Sequence, residues 1–291
     1  MGIRDLSAAS LADGVHNKER RTGMDLYETL LKRRSVRRYT ENAPDAVTLQ
    51  SIREAALKPL FPEIEVKIEL IGKTELPQFF LSTGSVRAPC YAVITSRKSP
   101  FAKLNAGFLG EQLVAELTLR GLGTCWSGGL KASKTAFPLD YLIAIGFGYP
   151  KNGLLREPEQ KLSRKTTEEI CPNPPGSQLM KDAVEAVRVA PSAVNRQPWR
   201  LEPEGNTLHV FCEKPSFLTS VGPGPVKFFY PGAALEKLQE IDCGIALAHI
   251  LICAEHFGAA PEFRRIAGKE KAGEKRIYMM SAVLNPEKKS G

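Results

Sequence analysis

The chain has 291 residues, of which 43% are hydrophobic and 25% charged, with a formal net charge of +8. That supply of apolar residues builds a globular core of one or two domains, and no apolar run reaches the roughly 20 residues of a membrane-spanning helix. The basic excess raises nucleic-acid binding, but much of it sits at the two ends and in 269–275, without a nucleic-acid motif or interleaved aromatics, and attraction of an anionic cofactor accounts for it as well.

Residues 1–23 are polar, end in Lys18-Glu19-Arg20-Arg21 and lack the apolar stretch of a signal peptide. They read as a disordered tail, or as an extension upstream of a chain that begins at Met24. Asp25 to Lys32 puts Leu26, Leu30 and Leu31 on one helical face. The octapeptide Arg33-Arg34-Ser35-Val36-Arg37-Arg38-Tyr39-Thr40 follows. Arg33, Ser35 and Arg37 alternate, so extended backbone would turn them to one side. Two guanidinium forks and a hydroxyl then converge on one face, which suits a phosphate ester. The alternative is a solvated basic run at a helix C-terminus, where cations are favoured anyway.

A helix is predicted from Ala43-Pro44-Asp45 to Leu57, a half-exposed strand over Val66 to Leu70 and a buried strand over Cys90 to Thr95. Phe108 to Arg120 reads as a helix with Leu109, Leu113, Val114 and Leu117 inward, stopped by Gly121 and Gly123. Thr124-Cys125-Trp126-Ser127-Gly128-Gly129 is either a flexible surface loop or a segment whose glycines let backbone approach a flat ligand. Tyr141 to Gly148 is a buried strand, 151–167 a polar tract carrying Lys161, Arg164 and Lys165, and 172–176 a Pro-rich linker.

Gln178 to Val189 reads as a helix, Trp199 to Leu201 and Thr207 to Glu213 as a hairpin across Glu204-Gly205-Asn206, Asp242 to Phe257 as a helix stopped by Gly258, and Arg276 to Leu284 as a buried strand. Pro191-Ser192-Ala193-Val194-Asn195-Arg196-Gln197-Pro198 joins helix to strand. Its Ser and Asn serve a polar ligand or bond their own backbone. Six cysteines contain no C-x-x-C pair and fit buried thiols in a reducing cytoplasm. His209, His249 and His256 lack zinc spacing, and His249 reads as a core histidine.

The second half repeats the order of the first. The helix stops at Gly123 and Gly258 are 258 − 123 = 135 positions apart, and the strand starts at Tyr141 and Arg276 are 276 − 141 = 135 apart. Two features in one register argue for an internal duplication. In that register the basic octapeptide faces 168–175, which contains no basic residue, while 190–199 faces 55–64, which retains neither the Ser nor the Asn. Each copy keeps what the other has lost.

Leu30 to Tyr39 resembles the N-terminal signature of the nitroreductase family of FMN-dependent oxidoreductases. Ala190 to Trp199 is similar to that family's second signature, and Gly121 to Gly129 to its third. Ser163-Arg164-Lys165 with Glu168-Glu169-Ile170 resembles its C-terminal basic tract. The resemblance implies an α+β, nitroreductase-like fold duplicated into two lobes, 24–173 and 174–291, that mimic the family homodimer. The second signature here follows the fourth instead of lying between the first and third, which implies a fused pseudo-dimer. The opposite losses in the two copies then predict one FMN between the lobes of each chain, in a monomer or a dimer through an unrelated surface, while the thiols point to a cytoplasmic protein and the composition to no nucleic-acid or membrane partner. NAD(P)H would be the transient donor, reducing a small nitroaromatic, quinone-like or other conjugated acceptor. A flavin-binding, storage or flavin-fragmenting protein is the rival reading.

The resemblance assigns the FMN phosphate to Arg33, Arg164 and Lys165 with Ser35, the ribityl chain to Arg34, and the pyrimidine edge to Arg37. Ser127, Gly128 and Gly129 approach the flavin N5 in that scheme, and Pro191, Ser192, Ala193 and Asn195 close the site from the other lobe. Gln197 and Trp199 are assigned structural roles. No side-chain nucleophile or metal is implied.

Overall fold

The computed structural model describes residues 6–7, 24–82, 86–133, 136–157, 160–215, 218–221, 228–271 and 275–285. The chain divides into two compact units, residues 1–160 and 161–291. Of the tail predicted at 1–23, β1 (Leu6–Ser7) pairs with Ile68 and Lys67, and the other residues lie outside those described.

The first unit continues with α1 (Leu26–Lys32), α2 (Ala46–Arg53), β2 (Val66–Gly72), α3 (Leu76–Phe79), β3 (Phe80–Ser82), β4 (Cys90–Ser96), α4 (Ala102–Leu119), β5 (Gly123–Trp126), β6 (Lys131–Ala132) and β7 (Asp140–Gly148). Strands β1-β2-β4-β7-β5 form one antiparallel sheet, and β3 pairs with β6. Asp25 and Asp45 cap the first two helices through Glu28 N–H and Thr48 N–H. Helix α2 ends at Arg53 rather than Leu57, because the following loop is bonded to α4. Gln112 Oε1 accepts Lys58 N–H at 2.9 Å, and Asn105 Oδ1 accepts Leu60 N–H at 2.8 Å.

Helix α4 starts six residues ahead of the predicted Phe108 and is buried on every side, with only Lys103 and Glu116 outside its buried set. All seven residues of β4 are buried. Strand β2 departs from the predicted half-exposed pattern, since Glu69 is also buried. Gly121 adopts φ 81°, the left-handed stop anticipated after α4.

The second unit contains α5 (Thr167–Ile170), α6 (Gln178–Val189), β8 (Trp199–Glu204), β9 (Thr207–Glu213), β10 (Leu218–Val221), β11 (Phe228–Pro231), α7 (Gly232–His256), β12 (Glu262–Arg264) and β13 (Arg276–Val283). Its four-stranded antiparallel sheet runs β8-β9-β13-β12, and β10 pairs with β11. Helix α7 begins ten residues before the predicted Asp242, and Gly258 ends it with φ 71°.

Both units share one topology. Helix α2, β2, β4, α4, β5 and β7 give the sheet order β2-β4-β7-β5. Helix α6, β8, β9, α7, β12 and β13 give β8-β9-β13-β12. Each sheet therefore runs first, second, fourth, third, which bears out the duplication, although one register marker, Gly123, lies in β5 and not at the end of α4, where Gly121 is the stop. The architecture is α+β in two lobes. The division between units falls before residue 161, ahead of the boundary predicted at 173/174.

The six cysteines are buried free thiols, and His249 Nδ1 lies 2.7 Å from Ala186 O inside the core. Among the described residues no cluster of His, Cys, Asp and Glu could hold a metal ion, and no helix is long and apolar enough to cross a membrane.

Candidate functional site

In the first unit the octapeptide leaves α1 as extended chain. Isolated bridges tie Arg33 to Leu155, Ser35 to Thr124 and Tyr39 to Pro150. Val36 N–H donates to Thr124 O at 2.9 Å, Thr40 N–H to Tyr149 O at 2.9 Å, and Lys151 N–H to Arg38 O at 3.0 Å. Gly123 makes this close seat possible, since a Cβ there would fall 2.7 Å from Val36 Cβ. Val36 and Tyr39 turn into the core with Ile71, Tyr91, Cys125 and Ala144. Burial pushes the Tyr39 phenol well above its ordinary range, so it stays a neutral donor to Val36 O at 2.5 Å.

With the apolar residues pinned inward, the polar ones are held on the other side. Arg33 is 5% exposed, its Nη2 donates to Ser35 Oγ at 3.2 Å, and its buried Nε has no acceptor among the described residues. Arg34, Ser35, Val36, Arg37, Arg38 and Asn152 line a cleft of about 240 Å³. None of the four arginines makes an ion pair with a carboxylate of the described residues. A buried guanidinium with an unmet donor is costly unless an anion completes it, so these residues fit a phosphate-bearing group such as that of FMN. Their field reaches β5: burial raises the Cys125 thiol, while Arg37, Arg33 and Ser35 pull it back. Beyond β5, Ser127 is buried with its N–H on Ala144 O at 2.8 Å, and Gly128 and Gly129 are exposed in the turn that follows.

In the second unit, α6 ends at Val189 and the chain passes through a single 3-10 turn, Ala193–Asn195, before β8. Val194, Asn195 and Gln197 have φ of 47°, 57° and 51°. Left-handed backbone costs a non-glycine residue about 1–3 kcal/mol, and hydrogen bonds oppose that cost. Gln197 N–H donates to Ser192 Oγ at 2.9 Å, and its Oε1 accepts Lys165 N–H at 2.8 Å. Asn195 Oδ1 accepts from Arg164 Nη1 at 2.6 Å, while its Nδ2 donates to Ser163 O at 2.8 Å. Ala193 N–H donates to Asp242 Oδ1, on α7, at 2.9 Å. Lys165 Nζ donates to Gln197 O at 3.0 Å and lies 3.6 Å from Glu213. Burial, and then Arg200, lower its pKa.

The predicted residues thus fall into two groups. Arg33 touches Ser35, and Arg34, Ser35 and Arg37 share the cleft, although Arg38 and Asn152, which sequence reasoning passed over, line it too. Arg164 and Lys165 fall in the second unit with Ser192 and Asn195, whereas the predicted boundary at 173/174 had assigned them to the first lobe. The reason is local: the tract is bonded to Asn195 and Gln197, so it packs with the loop it was expected to face. Pro191 is buried and Ala193 half-buried. Gln197, expected to be structural, takes part in three of these six hydrogen bonds. Asp242 was missed, and its only signal was a lone carboxylate in an apolar helical run.

The family model described as "Putative TM nitroreductase" matches residues 25–254. Among solved structures, that of a "putative nitroreductase" from Thermotoga maritima MSB8 is similar at TM-score 0.62 and 24% identity, over 94% of this chain and 100% of that one. An FMN-dependent nitroreductase from Clostridium difficile R20291 matches 46% of this chain and 93% of its own, at 20% identity and TM-score 0.38. A nitroreductase family protein from Clostridium novyi NT matches 44% and 87%, at 19% identity and TM-score 0.38. No curated protein matches the chain.

Proposed function

The chain belongs to the TM nitroreductase family, and from that membership we propose that it is an FMN-dependent oxidoreductase. In this reading NAD(P)H is the donor, and the acceptor is a nitroaromatic, quinone-like or other conjugated molecule. The observation that carries it is Arg33: a buried guanidinium with an unmet Nε donor, bonded to Ser35, which lines a cleft together with three further arginines. Bound FMN would supply the two-electron chemistry, as flavins do.

The residues of the chain bind, orient and tune. Arg33 and Ser35 neutralise and hold the phosphate, and Arg34 lies along the ribityl chain. Arg37 supplies a fixed positive charge near the pyrimidine edge, which favours the reduced flavin. Ser127, Gly128 and Gly129 keep backbone close to the ring, a role that side chains at the two glycines would obstruct. Pro191, Ser192, Ala193 and Asn195, with Arg164 and Lys165, are the second unit's candidate flavin-binding residues.

The test is direct. The purified protein should carry flavin absorption, or acquire it from FMN, and NAD(P)H should bleach that colour under nitrogen. Steady-state plots against an acceptor should be parallel, because donor and acceptor would use one pocket in turn. A colourless protein that FMN does not alter would overturn the assignment, and intersecting plots would remove the shared pocket.

A further inference from the structure

The carboxyl of Asp242 sits within α7, 4% exposed, and its one hydrogen bond among those described goes to the backbone N–H of Ala193. Ala193 opens the turn that carries the three left-handed residues Val194, Asn195 and Gln197. The duplication supplies the comparison. Ala193 and Lys58 are 193 − 58 = 135 positions apart, the repeat register. Lys58 N–H is also held by a side chain of its unit's long helix, Gln112 of α4, at 2.9 Å. Both copies therefore anchor the same backbone N–H from the same helix.

The anchors differ in what they do. Gln112 is neutral and returns a bond to Lys58 O at 2.9 Å, so its polar groups are matched. The loop it holds, 55–64, contains no left-handed non-glycine residue. Asp242 is ionisable and has no such return bond. Burial pushes its carboxyl up to about 7, against the pull of Ala193 N–H and Arg196. The copy that retains the Ser and Asn thus has the strained loop and the energetically expensive anchor together.

We propose that Asp242 is a positioning residue, which clamps the 192–197 loop in its strained form so that Ser192 and Asn195 are set for a ligand. It touches no reacting atom and acts through Ala193 alone. The relevance to FMN rests on the function proposed above; the clamp itself does not.

Two variants of the full chain of nearly equal size separate clamping from general support. D242N keeps an acceptor for Ala193, and D242L removes it. Amide hydrogen exchange of the ligand-free protein reads the loop, FMN titration reads the site, and thermal melting at about pH 8 reads the whole fold. Exchange at 193–197 should accelerate about tenfold in D242L, as expected for loss of one buried hydrogen bond, with FMN binding weakened by a similar factor. D242N should stay within about threefold of the parent in both, for the same reason. Neither variant should melt below the parent, because the buried charge is gone. An unchanged loop in D242L, or D242N impaired as much as D242L, would overturn the clamp. If the parent chain binds no FMN, the proposed function fails, while the exchange measurement still decides the clamp.

Discussion

Arg33 and Arg37 lie four positions apart, yet their surroundings give them different work. Arg33 is buried and bonded to Ser35, whereas Arg37 is exposed at the cleft. Arg33→Ala should weaken FMN binding by about 1–3 kcal/mol, the range for a charge-assisted contact. Arg37→Ala should leave FMN bound but lower its reduction potential and slow reduction by NAD(P)H. Fluorescence titration and redox potentiometry separate the two, and equal loss of FMN from both variants would end this division of roles. Asp242 makes a pH prediction of its own. Its ordinary value of 3.8 is raised to about 7, by burial first, with Ala193 N–H and Arg196 opposing. A raised value means that the folded chain holds the proton more tightly than the unfolded chain does. The stability this gives is complete below about pH 4 and is lost as the pH rises through about 7. Asp242→Asn removes the slope, so its melting temperature should gain on the parent between about pH 4 and 7. Parallel curves across that range would show that the carboxyl does not titrate as its burial requires.

Elements whose faces differ were legible in the sequence; elements buried all round were legible only in part. Helix α6 runs from Gln178 to Val189 as its spacing predicts, because its apolar stripe contrasts with an exposed face. Helix α4 lost its first turn and a half to the reading, since Ala102 to Gly107 adds burial without periodicity. Asp242 was read as the start of α7, whereas it lies inside that helix and accepts Ala193 N–H. The pair β3 and β6 was not read at all, being three and two residues long. The octapeptide was legible as extended, since its alternation is a local property, but the reason for its close seat lies 87 residues after Val36, at Gly123 (123 − 36 = 87). That dependence can be measured. Gly123→Ala places a methyl 2.7 Å from Val36 Cβ, and both atoms are tied to backbone, so the strand or the octapeptide must shift. A stability loss of about 1–3 kcal/mol is expected from such overpacking, with weaker FMN binding as Ser35 moves with its neighbour. Denaturant unfolding and flavin titration would read the two effects, and a variant with parental stability would show that β5 tolerates the added methyl.

At the scale of the whole chain, the two copies share a topology and have diverged in chemistry. The octapeptide's register partner, 168–175, begins within α5, where Glu169 is spent on a capping box: its side chain accepts Thr166 N–H at 2.7 Å, and its own N–H donates to Thr166 Oγ1 at 3.2 Å. Hydrogen bonds to its own backbone and to Thr166 hold the Glu168 carboxyl below its usual range, so it is ionised near neutrality. A phosphate brought to that segment would meet two carboxylates where the first copy offers arginines, which is unfavourable. The partner of the 190–199 loop is closed in a different way. In 55–64, the N–H groups of Lys58 and Leu60 are already bonded to Gln112 and Asn105, and Asn105 Nδ2 donates to Phe61 O at 3.0 Å. Those two backbone N–H groups are therefore not left for a ligand. An ordinary two-fold dimer would repeat its site, whereas this divergence leaves the basic octapeptide and the Ser/Asn loop each in a single copy. The chain should therefore bind one FMN and require no second chain to do so. Flavin released by acid, counted against protein, together with light-scattering mass, tests this. One FMN per monomer of 31.9 kDa is expected; two FMN per chain, or flavin lost when a dimer is diluted to monomer, would show that both copies still bind.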